Sequence, residues 1–70
     1  MNKIAFFRKS VGLTQKKLAN ACDWRSQSRI AQYENEERTP NIEDCKKIAH
    51  ALNEKGLHVT LEDIFPLSMV

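Results

Sequence analysis

Apolar residues in this chain return every third or fourth position, and each run that does so is closed after a few turns by a residue that stops a helix. That punctuation leaves little choice of fold class. Ile4, Phe7 and Val11 set the first run and predict a helix over 2–11, ended by Gly12. Thr14 offers an N-cap, and Leu18, Ala19 and Cys22 give one stripe to a second helix over 15–22. Asp23-Trp24-Arg25 breaks the period. Ser26 is the next cap, before a short helix over 27–34 with Ile30 and Tyr33 on its apolar side. Asn35 to Pro40 reads as a loop, since the residue before a proline is pushed out of the helical region. Asn41 to Asp44 resembles a capping box, and Ile42, Cys45, Ile48, Ala49 and Leu52 trace a helix over 42–53. Gly56 makes a turn, and Thr60 with Asp63 caps a last helix over 61–65, carrying Leu61, Ile64 and Phe65 and stopped by Pro66. Val59-Thr60-Leu61 has the composition of a short strand but no second strand to pair with. The expected class is all-α, a compact bundle of five helices.

The 70 residues suffice for a single domain with one core. Without a staple such a core is marginal, so pairing with a second copy would add stability. A composition of 41% hydrophobic and 29% charged residues is that of a soluble globular chain. No apolar run approaches the roughly 18 residues of a membrane span. Met1-Asn2-Lys3 leads straight into amphipathic sequence, which predicts a cytoplasmic protein with no membrane partner.

An enzyme, a metal site or a bound cofactor would need groupings that the sequence does not offer. Cys22 and Cys45 lie far apart with no CxxC pair and no histidine at finger spacing, so they read as small apolar residues. His50 and His58 read as ordinary surface residues, and the acidic trio Glu34, Glu36 and Glu37 as a solvated loop. Two glycines, at 12 and 56, make no phosphate-cradling loop, and no small-molecule ligand is evident.

Charge is where the chain departs from a plain helical bundle. Residues 1–33 carry seven cations against Asp23 alone, a balance of +6, whereas residues 34–70 carry four cations against eight acids, a balance of −4. Such a division predicts a face for polyanions. Helix starts tell the same story. A helix N-terminus carries positive partial charge, so acids in the first turn stabilise it and cations cost roughly 0.3–1 kcal/mol. The fourth helix obeys the rule with Glu43 and Asp44. The second and third begin Thr14-Gln15-Lys16-Lys17 and Arg25-Ser26-Gln27-Ser28-Arg29, which predicts anion sites suited to regularly spaced phosphates. The third helix also exposes Gln27, Ser28, Arg29, Ala31 and Gln32. Amides, hydroxyls and guanidinium groups form hydrogen bonds with base edges in the major groove, and an alanine touches a thymine methyl. Gln27, Ser28, Arg29 and Gln32 are therefore the candidate base readers, and Thr14, Gln15, Lys16, Arg25 and Ser26 the candidate phosphate contacts.

Several short strings, Ile4-x-x-Phe7-Arg8, Gly12-Leu13-Thr14-Gln15, Leu18-Ala19, Ser26-Gln27-Ser28-x-Ile30-x-Gln32-Tyr33-Glu34-Asn35, Pro40 and Ile48-Ala49-x-Ala51-Leu52, together resemble the phage-repressor and Cro type of helix-turn-helix regulator, the XRE family. The resemblance spans about residues 4–65. It implies a lambda-repressor-like bundle in which the third helix lies in the major groove and the second crosses the backbone. It further implies that Gln15 and the first turn of the second helix hold a phosphate, that Gln27, Ser28 and Gln32 read bases, and that Asn35 and Arg38 clamp the next phosphates. Arg8 and Glu34 are implied to pair structurally. The chain departs from the family pattern in the turn, which reads Cys22-Asp23-Trp24 with Arg25 as an apparent insertion; Trp24, where the family has valine, is expected to plug the core, the alternative being an exposed ring facing a partner or a sugar-phosphate. It departs again at Glu36, where the family commonly has glycine, and in a longer loop over 53–59.

The partners expected on these grounds are a double-stranded DNA operator and a second copy of the chain, joined in solution or only on DNA. Trp24, Phe6 and the tail 67–70 are apolar residues that the helical faces do not use. They support an alternative, an antitoxin or protein-interaction module on the same fold. Non-specific nucleoid binding would fit the charge but not the polar third helix.

Overall fold

A computed structural model describes residues 2–66 and contains, among them, five helices and no strand: α1 (Ile4–Ser10), α2 (Gln15–Ala21), α3 (Ser28–Glu34), α4 (Ile42–Glu54) and α5 (Leu61–Ile64). The all-helical class and the helix order agree with the sequence reading. The tail 67–70 lies outside the described residues.

The first three helices stop by one device. In α1, the Gly12 N–H donates to the Lys9 carbonyl and the Leu13 N–H to the Arg8 carbonyl, both at 3.0 Å. In α2, Asp23 donates to Asn20 at 3.0 Å and Trp24 to Ala19 at 2.9 Å. In α3, Glu36 donates to Tyr33 at 3.2 Å and Glu37 to Gln32 at 2.9 Å. This paired closure needs a left-handed residue at its hinge. Gly12 supplies φ 73°, Asp23 φ 63° and Glu36 φ 61°. Asp23 thus makes the turn between α2 and α3 in the conformation that a glycine adopts more cheaply.

Helix starts differ from expectation in three places. α1 begins at Ile4 because Asn2 Oδ1 accepts the Ile4 N–H at 3.2 Å and the Lys3 N–H donates to the Ile64 carbonyl at 2.8 Å, which ties the first residues to α5 instead of to a helical turn. Gln27, not Ser26, occupies the cap position of α3, but the Ser26 hydroxyl accepts the Ser28 N–H at 3.1 Å and does the capping from one residue further out. At α4, Asn41 Oδ1 accepts the Asp44 N–H at 2.8 Å, while the Asp44 carboxylate is drawn inward by Tyr33 and does not complete the box. The box at α5 is complete: the Thr60 N–H donates to Asp63 at 2.9 Å and the Asp63 N–H to Thr60 at 3.2 Å.

α4 packs against α1, α2 and α5, and α3 lies against α1 and α2. Ile4, Leu18, Ile30, Tyr33, Ile48, Leu52 and Ile64 fill the centre with no exposed surface to speak of. Trp24 is also in this core, at 8% exposure. Ile42, assigned by periodicity to the buried face of α4, is instead 64% exposed. It sits on the first turn of α4, at the rim of an apolar groove of about 290 Å³ shared with Cys45, Leu61 and Phe65.

Candidate nucleic-acid interface

α3 is held at its C-terminal end by a buried ion pair. Arg8 Nε donates to Glu34 Oε2 at 2.7 Å and Nη2 to Oε1 at 3.2 Å, while Nη1 donates to the Leu13 carbonyl at 2.8 Å. The two side chains are only 10% and 7% exposed. Gln15 joins them, its Nε2 donating to Glu34 Oε1 at 2.9 Å, so one fork binds α1, α2 and α3 together. The acidic trio is therefore not a cluster: Glu34 faces inward, and Glu36 Oε2 accepts the Asn2 N–H at 2.8 Å. Asn2 also donates to the Tyr33 carbonyl at 2.8 Å, a staple with no signal in the sequence.

The side of α3 is held by Tyr33 and Asp44. The Tyr33 hydroxyl donates to Asp44 Oδ2 at 2.6 Å, and Arg29 Nη1 lies 3.5 Å from the same oxygen. Burial and the adjacent carboxylate push the Tyr33 hydroxyl above its usual pKa of 10.0. Trp24 packs edge-on to Tyr33, with ring centroids 6.2 Å apart. The Arg29 guanidinium lies over the Trp24 ring, 4.6 Å from its centroid. Trp24 is thus a core plug with a cation on its outer face, not an exposed contact. Asp44 was legible in the sequence only as a helix-start acid; that it anchors Tyr33 and Arg29 depends on how α4 packs.

Along the outer side of α3 a second set of side chains converges. Arg25, Ser26, Ser28, Arg29, Gln32 and Arg38, with Asp23 and Trp24, line a cleft of about 450 Å³. Ser26 donates to the Ser28 hydroxyl at 2.9 Å. The Arg38 guanidinium stands over Tyr33, 5.9 Å from the ring centroid, with Nη1 3.4 Å from Gln32 Oε1. Gln27, Ser28 and Arg29 are exposed and Gln32 is half-buried. On α2, Thr14 caps the helix by accepting the Lys17 N–H at 3.1 Å, and Lys16 and Lys17 are exposed. Asn35 is exposed at the end of α3. Of the predicted readers and clamps, Arg25, Ser26, Ser28, Arg29, Gln32 and Arg38 share one cleft; Gln27, Thr14, Gln15, Lys16 and Asn35 do not line it.

Three guanidinium groups beside two hydroxyls and an amide are groups that can donate hydrogen bonds to phosphate oxygens or base edges. The sequence profile of the family described as helix-turn-helix matches residues 4–59, from the start of α1 to the loop beyond α4. The chain belongs to the helix-turn-helix family of the Cro and phage-repressor type. The family's domains bind DNA and regulate transcription, and are not enzymes. In this helix-turn-helix protein α2, the Asp23 turn and α3 are the motif itself. Comparison with curated proteins gives no match, and comparison with solved structures gives none either. No helix among the described residues is long and apolar enough to cross a membrane.

Proposed function

We propose that this helix-turn-helix chain is a cytoplasmic repressor that binds a near-palindromic operator as a homodimer, with α3 in the major groove. The convergence of Arg25, Arg29 and Arg38 with Ser26, Ser28 and Gln32 along the outer side of α3 carries this reading. Gln27, Ser28 and Gln32 meet base edges, and Arg29 joins them with the donors that Trp24 and Asp44 leave it. Arg25, Ser26, Asn35 and Arg38 contact one stretch of backbone. Thr14, Gln15 and Lys16 contact another; Gln15 keeps a second amide hydrogen for a phosphate after donating to Glu34. Neither a cofactor nor a small-molecule ligand enters this reading.

Selection of binding sites from a random pool of double-stranded DNA tests it. The expected product is a two-fold symmetric motif with half-sites about one helical turn, ~34 Å, apart. Enrichment of nothing would end the DNA reading, and an asymmetric single site would end the dimeric one. A protein-interaction module is favoured by one observation, the 66% and 64% exposure of Phe6 and Ile42. Gel filtration with and without DNA at low salt separates the two, because an interaction module shows no shift with any DNA.

A further inference from the structure

Arg29 is held between an aromatic face and a buried carboxylate. Its guanidinium lies over the Trp24 ring, 4.6 Å from the centroid, and Nη1 lies 3.5 Å from Asp44 Oδ2. Both supports are themselves fixed. Trp24 is only 8% exposed, its backbone N–H donates to the Ala19 carbonyl at 2.9 Å, and its ring meets Tyr33 edge-on at 6.2 Å. The Tyr33 hydroxyl donates to the same Asp44 Oδ2 at 2.6 Å, so Arg29, Trp24, Tyr33 and Asp44 close a ring of contacts. The Arg29 side chain is nevertheless 43% exposed and lines the cleft. Arg25, exposed in that cleft, has neither a ring nor a carboxylate against it among the described residues.

A long side chain that is loose before binding loses rotamer freedom when a ligand pins it, which weakens affinity by about two- to tenfold for each such residue. An arginine stacked on a ring and paired with a carboxylate has given up that freedom in the free protein. A guanidinium carries five N–H donors, so donors remain beyond the one at Asp44. We infer, granted the proposed docking of α3 on DNA, that Trp24 is a positioning residue for binding: its indole face holds Arg29 as a preformed DNA contact, while the ring itself stays in the core.

Two measurements test this, the first without DNA. In the free, unsubstituted protein, NMR relaxation of the arginine Nε–H groups should show Arg29 rigid on the picosecond-to-nanosecond timescale and Arg25 mobile. Equal mobility of the two would overturn the inference. The second is a double-mutant cycle of affinity for the double-stranded sequence that binding-site selection enriches. Trp24→Leu should weaken binding by about two- to tenfold when Arg29 is present and by under about twofold in the Arg29→Ala background. Trp24→Phe keeps an aromatic face and should stay within about twofold of the parent. A Trp24→Leu loss of equal size in both backgrounds would mean that the ring affects DNA only through the fold, and Arg29→Ala binding as tight as the parent's would leave no contact to position. Either result overturns the inference and leaves the DNA-binding reading standing. Because Trp24→Leu also opens a cavity in the core, the relaxation measurement decides if that variant does not fold. Binding of no DNA by the unsubstituted chain would remove the DNA reading and this inference together.

Discussion

The two ends of α3 are built for different tasks. Toward the C-terminal end two strong groups are spent inside the protein: Glu34 accepts from Arg8 and Gln15, and Tyr33 donates to Asp44. Around the N-terminal end, Arg25, Ser26, Ser28 and Arg29 stand exposed around a cleft. A helix of seven residues is too short to be stable alone. Its anchored end fixes where the open end points, so a ligand meets groups that need little further ordering.

Substitutions at the two ends should separate stability from binding. The largest effect is expected for Glu34→Ala, which leaves Arg8 buried without its partner. A loss of about 3–5 kcal/mol is comparable to the whole stability of so small a domain, and urea unfolding followed by circular dichroism should show little folded protein. If Glu34→Ala unfolds no more easily than the parent, the fork is not what holds α3. Arg25→Ala and Gln32→Ala should leave the unfolding midpoint alone. Gln32→Ala should cost roughly 1–3 kcal/mol of discrimination at one base pair. Arg25→Ala should weaken binding to all sequences and flatten the dependence of log K on log salt by about 0.9. A midpoint shift of several degrees in either variant would blur the distinction between the ends.

Smaller effects test the core beneath. Burial pushes the Cys22 thiol up from 9.0 to about 11. The unfolded chain then loses this proton before the folded one does. Its contribution to stability is complete below pH 9 and is lost as the pH rises toward 11. Tyr33, also shifted upward, acts in the same direction. Denaturation midpoints should fall over that range, and less so in Cys22→Ala; an identical decline in both would show that the thiol has no part in it. The smallest change expected is at the hinge after α3. Glu36→Gly relieves a left-handed side chain and should raise stability by about 0.5–1 kcal/mol, net of the greater freedom of the unfolded chain. Unchanged thermal unfolding would mean that the Asn2 contact to Glu36 offsets the strain.

The apolar period was enough to place the helices, because burying one side of a helix demands that spacing whatever the helix packs against. Its failure at Ile42 falls on the first turn of α4, where that side chain stands 64% exposed at the rim of the groove shared with Leu61 and Phe65. The substituted turns were visible as departures, but only the shared closure of α1, α2 and α3 explains how Asp23 and Glu36 replace glycine. Arg8 and Glu34 stand 26 positions apart, and a helical period carries no information over such a distance. Their pairing came from resemblance. The links from Trp24 to Arg29, from Tyr33 to Asp44 and from Asn2 to Tyr33 had no sequence signal, since each joins elements whose mutual placement is set by packing.

By itself, the sequence determined that the chain is helical, where its helices lie, and that its cations gather toward the N-terminal half. Those properties are local: periodicity, caps and charge act over one or two turns. Tertiary structure alone decided which of the polar residues near α3 are consumed as anchors and which are left for a ligand. That choice depends on distances between helices, where a shift of an ångström turns a surface glutamate into the buried partner of an arginine.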